Sequence, residues 1–205
     1  MLALFIVIEL AAALLGLALA WLFGVPLLER IEWDARSLGI GVVATLPLLV
    51  ALAVGLRWPP RPLRNLFDRL ETEVLPLFAH ASWTQLIVLS LAAGFGEEIL
   101  FRGFLQQAFS DRFGTTVGLV TASLLFGLAH PMSKTYVLLA AAIGAWLGVL
   151  YVQTAGLAAP ITTHALYDFV ALVWLVRRHK RDMAQAAPTN PPTDSFDRPD
   201  DQPEH

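Results

Sequence analysis

Glu97, Glu98 and Arg102 stand inside an otherwise apolar stretch, Gly94-Phe95-Gly96-Glu97-Glu98-Ile99-Leu100-Phe101-Arg102. Further along, His130 follows Phe126 by four residues, and His164 precedes Asp168 by four. Residues four apart share a helical face, so Glu98 can pair with Arg102 and His164 with Asp168. Glu97 projects about 100° away from Glu98 on a helix and lacks such a partner. A carboxylate that is desolvated and not fully paired suits a general base or acid. Glutamate with histidine can hold and deprotonate a water. The same groups can instead ligate a divalent metal such as zinc that activates it, with Glu97, His130 and His164 as candidate ligands. A second histidine with a polar partner can stabilise an oxyanion. This is equipment for peptide hydrolysis. Proton relays and transporters also bury Glu, His and Asp, so the chemistry alone leaves both open.

The elements that must position these groups are membrane helices. Of 205 residues, 56% are hydrophobic and 15% charged, and the mean hydropathy is +0.61. Soluble domains sit nearer about 45–50% apolar and about 25% charged. The apolar residues come in runs of roughly 20, the length a helix needs to cross a bilayer core of about 30 Å. Six segments can be drawn: Leu2–Phe23, Leu38–Leu56, Trp83–Phe109, Thr115–His130, Tyr136–Gln153 and Leu157–Val176. The fold class is therefore an all-α, multi-pass transmembrane bundle of about six helices around a polar intramembrane cavity. The third segment is long and charged, which implies a tilt or a break. The fourth is short and ends at Pro131.

Charged side chains near a bilayer centre cost about 2.5–3.5 kcal/mol on insertion scales and usually mark function. The three charged helices should pack with these groups inward. Residues 57–81 open with prolines and then carry Leu63, Leu66, Phe67, Leu70, Val74, Leu75 and Phe78 at near-helical spacing. They read as an amphipathic helix at the interface, with an ordinary solvated connecting helix as the alternative. Glu9 reads as a snorkelling or helix-contact residue, and His80, His179 and His205 as solvated. The first segment has no Lys or Arg before Arg30, so it reads as an uncleaved membrane helix and not a secretory signal.

Positive residues orient the chain. Arg57, Arg61, Arg64, Arg69, Lys134, Arg177, Arg178, Lys180 and Arg181 fall on one side under six crossings. That side should be cytoplasmic, with both termini inside. Length and an Ala/Leu/Arg-rich style point to a bacterial cytoplasmic membrane. The net charge of −3 suggests no nucleic-acid partner. Cysteine is absent, which excludes disulfides and thiolate catalysis. No His-Glu-x-x-His or Gly-x-Ser-x-Gly occurs. No Gly-x-Gly-Asp completes an aspartyl site with Tyr167-Asp168.

The three paired motifs, in order and spacing, resemble the CPBP family, the CAAX prenyl endopeptidase and bacteriocin-processing type of intramembrane metalloprotease. Glu97, Glu98 and Arg102 match its Glu-Glu-x-x-x-Arg. Phe126 and His130 match its Phe-x-x-x-His, and His164 and Asp168 its His-x-x-x-Asn/Asp. The resemblance runs from about Trp83 to Val176. It implies a CAAX protease-like core at 83–178; hydropathy adds residues 1–82 as an N-terminal two-helix region with the interfacial helix, and a Pro-, Asp-, Gln- and Thr-rich composition makes 179–205 a disordered cytoplasmic tail. The resemblance implies an intramembrane endopeptidase in which Glu97 and His130 activate water and His164 and Asp168 stabilise the oxyanion. Glu98 and Arg102 would organise the site, and Phe126 is the candidate for substrate contact. The implied partners are the lipid bilayer and a protein or peptide cut near the membrane. The endopeptidases typically carry Asn where this chain has Asp168, and an ionised aspartate cannot donate to an oxyanion. A non-proteolytic membrane scaffold or immunity protein, or a small transporter, is the alternative. Depth poses a further question, because His130 falls near the cytoplasmic end of its segment. Glu97 lies about 14 residues, roughly 21 Å, into its own.

Overall fold

The computed structural model describes residues 2–31 and 33–186. Among these, seven helices form and no strand does. They are α1 (Leu2–Phe23), α2 (Ala35–Arg57), α3 (61–78), α4 (Trp83–Phe113), α5 (Thr115–Leu128), α6 (Lys134–Thr154) and α7 (Ala158–Ala186). Helix α3 joins Arg61–Arg69, a π-wound turn at Leu70–Val74 and Leu75–Phe78.

Five helices, α1, α2, α4, α6 and α7, are long and apolar enough to cross a membrane. Their outward faces fit lipid: Leu4, Val7, Leu14 and Leu22 of α1 are each more than half exposed. The chain is an integral membrane protein. The expected sixth segment forms a helix that falls short of a crossing, yet the start of α1 and the outer part of α7 still meet at one end, where Leu2 and Phe5 pack on the cluster that holds Val176. Helix α5 has 14 residues, about 21 Å at 1.5 Å per residue, short of a core of about 30 Å. It stops at Leu128 because the chain turns through Ala129 and His130 ahead of Pro131. Proline disfavours helical backbone in the residue before it.

Local chemistry sets the other ends. Asp34 caps α2 by accepting from the backbone of Arg36 and Ser37 at 2.9 and 3.0 Å. Ser82 and Gln85 form a reciprocal capping box that starts α4. Gly114 reverses the chain between α4 and α5 at a φ of +90°, which favours glycine. Helix α4 is unbroken over 31 residues, yet Ile99–Gln106 is wound as a π-helix directly after Glu98. Such local π winding is frequent at functional sites.

Helix α1 packs on α4, and α7 packs on both α2 and α4. Small residues allow this. A Cβ on Gly94 would meet Ala165 of α7, and one on Gly96 would overlap the backbone carbonyl of Glu9 in α1. The backbone N–H of Leu157 donates to Arg30 at 2.8 Å. That bond brings the α1–α2 and α6–α7 connections to one end. At the other end, Arg64 and Arg178 line one small cavity, beside the apolar cluster of Leu75, Phe78, Leu86, Leu89 and Val176. The expected interfacial helix packs there through Leu66, Leu75 and Phe78. Helix α7 continues to Ala186, into the stretch expected to be a disordered tail from 179. The rest of that stretch, 187–205, lies outside the described residues.

Candidate active site

Three helices and one loop converge at Glu97 and Glu98, and the two carboxylates fare differently. Glu98 is 0% exposed and Arg102 1% exposed. Arg102 Nη1 donates to Glu98 Oε1 at 2.8 Å, and Nη2 donates to the Gly144 carbonyl at 2.9 Å. One turn on, Gln106 Nε2 donates to the Gly148 carbonyl at 2.9 Å. The glycines of α6 matter here. A Cβ on Gly148 would stand 2.7 Å from Gln106 Oε1, and one on Gly144 would crowd Arg102. His164 Nδ1 lies 2.7 Å from the same Glu98 oxygen. A carboxylate paired with arginine only accepts, so Nδ1 is the donor. Among the described residues, Glu98 Oε2 and Arg102 Nε are buried without a protein partner.

Glu97 is 15% exposed and faces the other way. Its Oε1 lies 3.8 Å from His130 Nε2, and its Oε2 lies 3.9 Å from His164 Nε2. Both gaps exceed the roughly 2.7–3.2 Å of a hydrogen bond. His130 Nδ1 lies 2.8 Å from the Phe126 carbonyl. A carbonyl only accepts, so Nδ1 carries the proton, and the neutral ring keeps its Nε2 lone pair toward Glu97. His164 Nε2 also lies 3.5 Å from Asp168 Oδ2.

The depth question has a structural answer. Because α5 stops early, its terminal loop places His130 level with Glu97. Below that loop, Arg69 of α3 donates from Nη1 to the Met132 carbonyl at 2.7 Å.

The expected site residues Glu97, Glu98, Arg102, His130, His164 and Asp168 therefore come together. Phe126 needs correction as a substrate contact. It is 3% exposed, and its ring is surrounded. Arg102 sits 4.4 Å from its centroid, and the rings of Phe101, His130 and His164 lie at 5.0, 4.9 and 5.9 Å. It is a wedge beneath both histidines. Two residues at the site escaped the sequence reading in that role. Glu9 is half-buried and close enough to feel His164 and Asp168; its signal was a lone charge in an apolar helix. Tyr136 stands edge-on to the His130 ring at 5.6 Å, and no sequence signal marks it.

Two imidazole Nε2 atoms and a carboxylate form a donor set that zinc accepts in kind once both nitrogens are unprotonated. Ligands at about 2.1 Å in a tetrahedral site lie about 3.4 Å apart, so the 3.8 and 3.9 Å gaps would have to close slightly around the ion. Among the described residues, no three His, Asp or Glu are arranged as a finished metal site. Three polar groups around one gap suit a water as the site stands.

A family model described as type II CAAX prenyl endopeptidase Rce1-like matches residues 79–170. The uncharacterized protein YpbD of Bacillus subtilis (strain 168) is 35% identical over 161 residues, covering 73% of this chain and 78% of that protein. No solved structure matches the chain.

Proposed function

We propose, from the premise that the chain belongs to the Rce1-like family of type II CAAX prenyl endopeptidases, that it is an intramembrane endopeptidase. It hydrolyses a peptide bond in a membrane-associated protein or peptide, from a site with both chain termini on the cytoplasmic side.

One observation carries the reading. Among the described residues the Glu97 carboxylate has no bonded partner, and it faces the Nε2 atoms of histidines from two different elements, 3.8 and 3.9 Å away. A water between Glu97 and His130 would donate one proton to each. Glu97 takes a proton as the water oxygen attacks the scissile carbonyl carbon, and the carbonyl oxygen takes the negative charge. Glu97 then returns the proton to the leaving nitrogen as the C–N bond breaks, leaving a carboxylic acid and an amine. His164 faces the same space, with Asp168 3.5 Å away to orient it. Glu98 and Arg102 hold His164 in place from behind. If a divalent metal binds, Glu97, His130 and His164 would hold it, and it would supply Lewis acidity and a more acidic water.

Terminal-peptide proteomics tests the reading, using membranes that carry wild-type protein or Glu97→Ala at matched abundance. New termini present only with wild type support hydrolysis and identify the substrate. Identical termini in both would overturn it, and a binding or ion-moving cavity would then be the better account.

A further inference from the structure

The open side of the site is rich in acceptors and short of free donors. Peptide hydrolysis needs a donor where the carbonyl oxygen becomes an anion. His164 has committed Nδ1 to Glu98, and its Nε2 faces two carboxylates, Asp168 at 3.5 Å and Glu97 at 3.9 Å. His130 has committed Nδ1 to the Phe126 carbonyl. An ionised Asp168 can only accept.

Tyr136 stands beside this gap. It lies in the first turn of α6, where Ser133 Oγ accepts its backbone N–H at 3.1 Å and fixes the start of the helix. Its ring meets His130 edge-on, with centroids 5.6 Å apart and planes at 78°. Asp168 and Glu97 are both close enough to act electrostatically on its hydroxyl. Among the described residues, its phenol oxygen takes no hydrogen-bond partner. A phenol O–H is a neutral donor, so it can sit among carboxylates and still turn toward a developing charge.

We propose that Tyr136 is a further catalytic residue, whose hydroxyl donates to the oxyanion formed when water attacks the scissile carbonyl. The role rests on the hydrolytic reading above. It also gives a physical reason why the site tolerates Asp168, which cannot donate when ionised. The proton stays on the phenol throughout, and the donated hydrogen bond relaxes when the carbonyl re-forms.

The test follows wild type, Glu97→Ala, Tyr136→Phe and Tyr136→Leu by the rate at which wild-type-dependent termini appear, with the unfolding midpoint measured on the same membranes. Loss of one oxyanion donor slows turnover by about 10²–10³-fold. Tyr136→Phe, which keeps the ring against His130, should show that loss at an unchanged midpoint. Wild-type turnover with Phe but loss with Leu would make the ring a packing element and overturn the proposal. So would a fall in rate with Phe that a lowered midpoint accompanies. Wild-type turnover in both, with Glu97→Ala inactive, would overturn it while leaving the hydrolytic reading intact. Identical termini with and without Glu97 would overturn both together.

Discussion

Glu97 and Glu98 are neighbours in sequence and opposites in environment. The Glu98 side is closed: a carboxylate, a guanidinium, an imidazole and a glycine carbonyl are joined by contacts of 2.7 to 2.9 Å. The Glu97 side is open: a carboxylate, two imidazoles and Asp168 stand 3.5 to 3.9 Å apart. One helical step of about 100° separates the two. Contacts made at full hydrogen-bonding distance hold a bundle together. Polar groups held slightly too far apart leave room for a reactant. The closed side also positions the open one, because Glu98 fixes the tautomer and tilt of the histidine that faces Glu97.

That contrast can be broken on the stability axis, beginning with the largest effect. Glu98→Gln leaves Arg102 buried without its counter-charge, and breaking such a pair costs about 3–5 kcal/mol. Chemical denaturation in detergent should show the loss, and an unchanged midpoint would mean that the pair is not structural. Phe126→Leu comes next, because Phe126 underlies both sides. It should cost about 1–2 kcal/mol through lost packing and the Arg102 contact. It should also slow turnover about tenfold as both histidines lose their wedge. A loss confined to stability would separate the wedge from the site. Smallest is Arg69→Gln, which removes an exposed bond to the Met132 carbonyl. Surface interactions of this kind are worth about 0–1 kcal/mol. Stability should barely change, while turnover falls a few-fold because the loop carrying His130 is released from α3. Equal turnover would show that the loop holds itself.

The sequence made the charged half of this site legible for a simple reason. Glu97, Glu98, Arg102, His130, His164 and Asp168 are expensive in lipid, so their presence in apolar runs demands a shared interior. The Glu98–Arg102 pair followed from spacing alone. Aromatic residues carry no such signal. Tyr136 at a membrane-helix end is ordinary, and the role of Phe126 depends on four neighbours contributed by three other stretches of chain. Hydropathy also measures apolar length and not depth, so it counted Thr115–His130 as a crossing. The halt of α5 at Leu128 was foreshadowed only by Pro131. At the chain's other end, Arg177 to Arg181 read as the limit of the membrane, but helical backbone does not end where lipid does. Residues with good helix propensity carry α7 on to Ala186.

The most direct measurement takes Glu97→Gln and wild type through cleavage and unfolding on the same membrane preparations. Glutamine keeps the shape of the side chain and removes its ability to take a proton. The account predicts that wild-type-dependent termini form at least about 100-fold more slowly, as for loss of a general base, at an unfolding midpoint equal to or above wild type. Termini that form at the wild-type rate, or a midpoint that falls as it does for Glu98→Gln, would contradict it.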